Sequence, residues 1–396
     1  MSSADVVIVG AGTVGGWAAV MAREDGAGRV VVLDAGLAGR GASVRAAGIV
    51  RTQGGTPTAV DLGRFSAEFY RDQHHRYGID SDFRELGYLI FATSEEEMRA
   101  ARERVAMQRD RGVDARWVLP SEAAGLMLLL DSNCVFGATY CARDGAIDPP
   151  RNVAAYLVAM RATGAELCER TPVTGLRVQG GRVTGVQTAH AAIATERVIL
   201  AGGVAQPALT AMVGRPVPVG GARHHVFVTS PSRATVQPMA MGFDVAAGVY
   251  WRQEEAGLLF GFSDPDEAPG EARSIDPDAQ HRARGRLGEL IPASRGLGLR
   301  KAWAATIDYT PDHLPIIGPA LGHEGEPIEG LTLASAGGHG MMWGPGVARA
   351  AVDLALHGAT LVTEVSFLGA DRFDADGRSR LAADPIALPF PQVLGR

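Results

Sequence analysis

Gly10, Gly12 and Gly15, with Ala11, Thr13 and Val14 among them, stand between an apolar run and a helical pattern, and that spacing suits phosphate binding. Glycines at these places permit a tight turn, let the backbone approach a pyrophosphate and seat the helix against the strand. The helix N-terminus then offers unpaired N–H groups and the positive end of its dipole to an anion. Asp34 ends a second apolar run about 20 residues on, with Ala35 after it, where a carboxylate can accept hydrogen bonds from ribose hydroxyls. A dinucleotide is therefore the expected ligand, since a bare glycine turn leaves Asp34 without a purpose. The pattern does not separate a nicotinamide from a flavin.

The elements that must position these residues can be read from the apolar runs. Residues 6–9 read as a short buried strand, 13 to about 24 as a helix and 30–33 as a second strand, a unit that builds parallel sheets. Beyond residue 80 the texture changes to a strand at 87–92, a charged helix across 94–111 and a turn-rich stretch at 131–146. The first texture resumes with a helix over 150–161 and strands near 166–168, 175–178, 183–188 and 197–200. Short strands at 225–229, 248–251 and 257–261 are separated by glycine and proline and suit an antiparallel sheet. The last third offers a Pro-rich turn at 310–319, a strand at 331–334, a glycine cluster and a helix from about 345 to 356. The expected fold class is α/β, a Rossmann-like domain with a second α+β substrate domain built on an antiparallel sheet. The first takes residues 1–80, 145–215 and 305–396, and the second 81–144 and 216–304.

Composition removes several classes of function. A chain of 396 residues exceeds the size at which single cores usually stop growing, which favours two domains. Hydrophobic residues make 46% and charged residues 21%, with 51 glycines, so the chain is a glycine-rich globular enzyme rather than a disordered segment. The net charge of −6, without a basic block, argues against nucleic acid. Cys134, Cys141 and Cys168 form neither a CxxC pair nor a zinc-like cluster, which leaves no metal site and suits a reducing compartment. No signal peptide and no apolar run of about 18 residues stands out, so a cytoplasmic protein with no integral membrane segment is expected.

Four further segments follow the N-terminal glycines in a telling order. The first runs from Gly39 to Arg51 and includes Ser43, Arg45, Ala46, Gly48 and Ile49; the second is 197–203, ending in Ala201, Gly202 and Gly203. The third is 303–319, and the fourth reads Gly337, Gly338, His339, Gly340, Met341, Met342. Over nearly the whole chain this series resembles the D-amino-acid oxidase and sarcosine oxidase family. The resemblance implies FAD, with its AMP half on the N-terminal unit, Val173 near adenine, and the segment from Ser43 to Ile49 along pyrophosphate and flavin. Gly338 to Met342 would lead into the final helix, whose N–H groups can stabilise negative charge on the reduced ring. The implied reaction is oxidation of the C–N bond of a small amine or amino acid, secondary, N-methyl or D, by hydride transfer to flavin N5, giving an imine. The alternatives are a 2-hydroxy-acid dehydrogenase, with His225 as its base, and a flavin-bearing subunit of a larger complex.

The sequence departs from the family's pattern at several points. Ala305 stands where a cysteine tethers the flavin in monomeric sarcosine oxidase, which implies non-covalent FAD. Ile307 replaces the arginine that clamps carboxylates in glycine-oxidase-like members, and the stretch from Ile307 to Asp312 is closer to the β subunits of heterotetrameric sarcosine oxidase, which raises a partner subunit. Arg51 matches one carboxylate-holding cation of monomeric sarcosine oxidase, whereas the second is Met342 here. The oxygen-activating lysine falls near Leu259, which tilts the reading from oxidase to dehydrogenase, with an electron acceptor that is O2 or another carrier.

Each candidate has a plainer reading beside it. Arg51 is a substrate ligand or an interdomain ion-pair residue. His224 and His225 adjoin on a strand, so only one can face a site. Tyr250 and Arg252 share one strand face, as pocket lining or edge pairing. Asp308 orients an ammonium or bonds backbone beside the Pro311 turn. His339 meets flavin through its backbone, and Met341, Met342 and Trp343 pack.

Overall fold

Val6–Val9 and Val30–Leu33 are apolar at every position, so these strands need cover on both faces. The computed structural model describes residues 2–391 and supplies that cover. Pro327–Ser335, Val198–Leu200, Val6–Val9, Val30–Leu33 and Glu166–Cys168 run parallel, in that order, within a ten-stranded sheet of mixed orientation. Val6, Ile8, Val30 and Val32 face the helices Thr13–Glu24, Pro149–Thr163 and Gly340–His357, where Trp17, Tyr156 and Trp343 are buried. Val7, Val9, Val31 and Leu33 face Leu176, Val183 and Val186 of the antiparallel strands Val173–Gln179 and Arg182–Thr188.

A second, eight-stranded sheet has the order Leu299–Tyr309, Gly220–Thr229, Gly257–Phe262, Val249–Glu254, Met241–Asp244, Tyr88–Ala92, Gly137–Cys141, Arg116–Val118. Its registers are antiparallel except for Met241–Asp244 beside Tyr88–Ala92, which is parallel. The stretch at 131–146, expected to be turns, thus holds the strand Gly137–Cys141. The expected boundary at residue 305 lies inside Leu299–Tyr309, which pairs with Gly220–Thr229 along its length. A small sheet of Ile49–Val50, Gly145–Ala146 and Arg84–Glu85 links the segments that cross between the layers.

Helix Pro57–Tyr77, unanticipated above, starts where the Thr56 hydroxyl accepts from the Ala59 N–H and ends at Gly78, whose φ of 67° suits glycine. It packs on Gly340–His357, which begins five residues before Pro345 rather than at it. Among the described residues, no helix is long and apolar enough to cross a membrane, and no cluster of His, Cys, Asp and Glu could hold a metal ion.

Candidate active site

A cleft of about 460 Å³ lies where the turn after the first parallel strand, the 39–51 segment and the second sheet meet. The turn is built by close approach. Gly10 has φ of 104°, and a Cβ there would come 2.3 Å from the Ala201 carbonyl oxygen; one on Gly15 would come 1.9 Å from the Gly10 oxygen. Tyr156 Oη donates to the Ala11 carbonyl and holds the turn at 2.8 Å. The helix Thr13–Glu24 starts at Gly12 without a side-chain cap, and Ser43 Oγ accepts from the Thr13 N–H at 3.0 Å. Asp34 is pinned through both oxygens, which accept from the Ala11 and Gly36 N–H groups at 2.7 Å each. Its remaining lone pairs are free for hydroxyls.

A second helix N-terminus faces the same cleft. Gly340–His357 begins at His339, again without a side-chain cap, and Gly340, Met341 and Met342 line the space. Pro345 has no N–H for the Met341 carbonyl four residues back. Tyr70 Oη donates to that carbonyl at 2.9 Å, and Ser66 Oγ accepts from the Gly346 N–H at 3.1 Å. These hydroxyls sit four residues apart on Pro57–Tyr77 and repair the helix where it meets the cleft. Tyr70→Phe should leave the Met341 carbonyl buried and unpaired, at about 1–3 kcal/mol, read as a lower unfolding midpoint in urea. An unchanged midpoint would refute this. Gly344 completes the arrangement, since a Cβ there would lie 2.9 Å from the Thr13 methyl group and push the two helices apart.

The opposite end of the cleft is framed by the second sheet. Arg51 is 3% exposed, and its Nη2 donates to the Ile386 carbonyl at 2.7 Å, while Nε and Nη1 have no partner among the described residues. The guanidinium lies 5.5 Å from the Phe243 ring centre. Tyr88, Phe243 and Tyr250 line the space beside it. Tyr250 Oη is 2.7 Å from His224 Nε2, and the two rings stack. Burial, with the neighbouring His225 adding to it, pushes the His224 pKa down to about 3, and burial raises that of Tyr250, so both are neutral at pH 7. Burial and then the Arg51 charge lower the His339 pKa to about 3, and its Nδ1 donates to the Gly337 carbonyl at 3.1 Å. Burial raises the Asp308 carboxyl, which accepts from Ser335 Oγ at 3.3 Å.

Most of the expected residues come together. Gly10, Gly12, Thr13, Val14, Asp34, Ser43, Arg45, Ala46, Gly48, Ile49, Ala201, Gly202 and the run from Gly338 to Met342 line the cleft, as do Arg51, Tyr250 and Asp308. Gly15, Ala35 and Val173 are not among the lining residues; Gly15 serves helix packing, and Val173 opens a strand against the other core. His225 is a correction. It pairs with Ala304, whereas His224 pairs with Ala305, which lines the cleft, so the pleat turns His224 inward. His225 Nε2 instead accepts from the Asp276 N–H at 3.0 Å. Arg252 is also displaced, because its strand runs past the cleft edge. Its Nε supports the Ala47 carbonyl at 2.8 Å, as Trp303 Nε1 supports that of Arg45 at 2.8 Å. Leu259 is packed with Val226 and Tyr250 and is not among the lining residues. Sequence reasoning missed Tyr88, Phe243 and Leu388; for the first two the one legible signal was an aromatic at a strand position, and Leu388 carried none.

Uncapped helix ends, a pinned carboxylate and a cradle that side chains would fill fit a ligand with a diphosphate, a ribose and a second electron-rich end. FAD has all three. The model of the family described as FAD dependent oxidoreductase matches residues 5–354. A 4-methylaminobutanoate oxidase (formaldehyde-forming) of Paenarthrobacter nicotinovorans is 27% identical over 89% of this chain and 43% of its own length. The chain thus spans less than half of that relative. The sarcosine oxidase subunit beta of Rhodobacter capsulatus is 24% identical over 85% of this chain and 80% of its own. The crystal structure of L-proline dehydrogenase from P. horikoshii superposes with a TM-score of 0.84 at 26% identity, over 94% of this chain and 98% of that one.

Proposed function

The chain belongs to the family of FAD dependent oxidoreductases, and from that premise we propose that it oxidises the C–N bond of a small amino acid or N-methyl amino acid. The observation that carries the carboxylate is Arg51, a buried cation at the end of the cleft, two of whose nitrogens have no partner among the described residues. Asp384 and Asp144 act on its charge from a distance without hydrogen-bonding to it, so a substrate anion in direct contact completes the pairing. In this reading the ten-stranded sheet serves the cofactor and the eight-stranded sheet the substrate.

Bound FAD supplies the two-electron acceptor for hydride. Arg51 draws the substrate carboxylate to its end of the cleft, which fixes the position of the carbon next to nitrogen. The nitrogen lone pair becomes the C=N bond as that carbon's C–H bond gives up hydride. The imine then adds water and separates into a carbonyl compound and ammonia or a primary amine. Tyr250, held through its hydroxyl by His224, lines the pocket without adding a charge that would compete for Arg51. Tyr88 and Phe243 wall the site with apolar surface.

The reactive amine is the free base, and neither His224 nor His339 titrates near neutral pH. The rate of anaerobic flavin reduction should therefore rise with pH through the amine's own titration, with no histidine step between about pH 5 and 8. A rate independent of pH across the amine's titration would sink the proposal. FAD is held without a covalent bond, because Ala305 occupies the tether position and none of Cys134, Cys141 and Cys168 lines the cleft. Acid precipitation should leave a yellow supernatant; a yellow pellet would disprove it.

A further inference from the structure

The family match ends at residue 354, yet part of the cleft wall is built by chain beyond it. Arg372 and Asp312 form a buried bidentate pair, Nε to Oδ2 at 2.7 Å and Nη2 to Oδ1 at 3.0 Å, and the Asp384 N–H donates to the Asp312 carbonyl at 3.1 Å. From that anchor the chain crosses the substrate end. The Ile386 carbonyl accepts from Arg51, the Pro389 carbonyl accepts from Ser263 Oγ at 2.6 Å, and Phe390 stacks on Tyr309 with ring centres 5.2 Å apart. Between them Leu388 enters the cleft, half-buried, and packs both with the group of Phe243 and Tyr250 and with that of Ile307 and Tyr309.

We propose that the segment Asp384–Phe390 forms the specificity wall of the substrate site, with Leu388 setting how large a substituent fits and the Ile386 carbonyl holding Arg51 in place. This rests on the reading of the Arg51 end as the substrate end. Three contacts tie the segment down around Leu388, so the side chain has a fixed position rather than that of a loose tail. Leu388 is opposed by Tyr250, Phe243 and Ile307, and a substrate whose carboxylate meets Arg51 extends its substituent among these four side chains. Removing most of the leucine makes room there, and a phenyl group takes room away.

The test uses the FAD-loaded protein and the flavin difference spectrum, which reads binding without turnover. Acetate and benzoate are titrated as a small and a large carboxylate, and methylamine and benzylamine as counterparts of the same two sizes that carry no carboxylate. Leu388→Ala should shift the benzoate-to-acetate affinity ratio at least tenfold toward benzoate, and Leu388→Phe should shift it the other way. FAD content and melting temperature establish that each variant is folded; if Leu388→Ala loses its flavin, Leu388→Val replaces it, with a smaller shift in the same direction. A ratio within twofold of the parent in both variants overturns the proposal. If the parent binds the amines and ignores the carboxylates, the Arg51 reading fails while the Leu388 ratio is read from the amines. Binding of neither series by the parent overturns both.

Discussion

Arg51→Met should lower kcat/KM for a carboxylate-bearing amine by about a hundredfold or more, while an amine of similar size without the carboxylate is little affected. Removing one partner of a buried, hydrogen-bonded charge pair costs about 2–5 kcal/mol, and about 1.4 kcal/mol is tenfold. The size of the effect follows from burial, since Arg51 is 3% exposed and water cannot take over the role of its guanidinium. The loss should appear in KM, because the carboxylate contact exists before and during hydride transfer, and also in kcat, because that contact fixes the position of the reacting carbon. Arg51→Lys keeps the charge but not the fork and should recover only part. Equal losses for both amines would make Arg51 a structural residue.

Gly10→Ala should abolish stable FAD binding. The new methyl group meets the Ala201 carbonyl oxygen at 2.3 Å, and the φ of 104° is one that L side chains rarely adopt. Backbone strain of this kind costs about 1–3 kcal/mol and overpacking a similar amount, so FAD affinity should fall at least tenfold. Gly125→Ala, on the helix Pro120–Leu126 away from the cleft, is the control, since a Cβ there meets nothing within 4 Å. The ratio of absorbance near the flavin maximum to protein absorbance in the purified variants reads both. Full flavin content in Gly10→Ala would mean that the turn tolerates movement the packing does not suggest.

The cofactor half of the site was legible because its geometry is local. Turn, helix start and strand end lie within one short unit, and each demands a recognisable residue type. The substrate half depends on register. Alternation says that one of His224 and His225 faces the cleft, but choosing between them requires knowing that Ala305 rather than Ala304 sits opposite His224. Pro345 reads as a helix start because proline favours the first turn. The helix runs through it only because Tyr70, far away in sequence, satisfies the carbonyl that proline cannot. Tyr88, Phe243 and Leu388 meet from three distant segments, and no spacing in the chain announces that meeting.

We propose that this FAD protein takes hydride from the carbon next to nitrogen in a small carboxylate-bearing amine. The most direct measurement is anaerobic bleaching of its flavin absorbance against N-methyl amino acids, D-amino acids, cyclic imino acids and 2-hydroxy acids. Rapid bleaching by one amine class and none by the hydroxy acids is the predicted result. Bleaching by a hydroxy acid alone, or a yellow protein that no compound reduces, would contradict it, the second pointing to a flavin-bearing subunit that turns over only within a larger assembly.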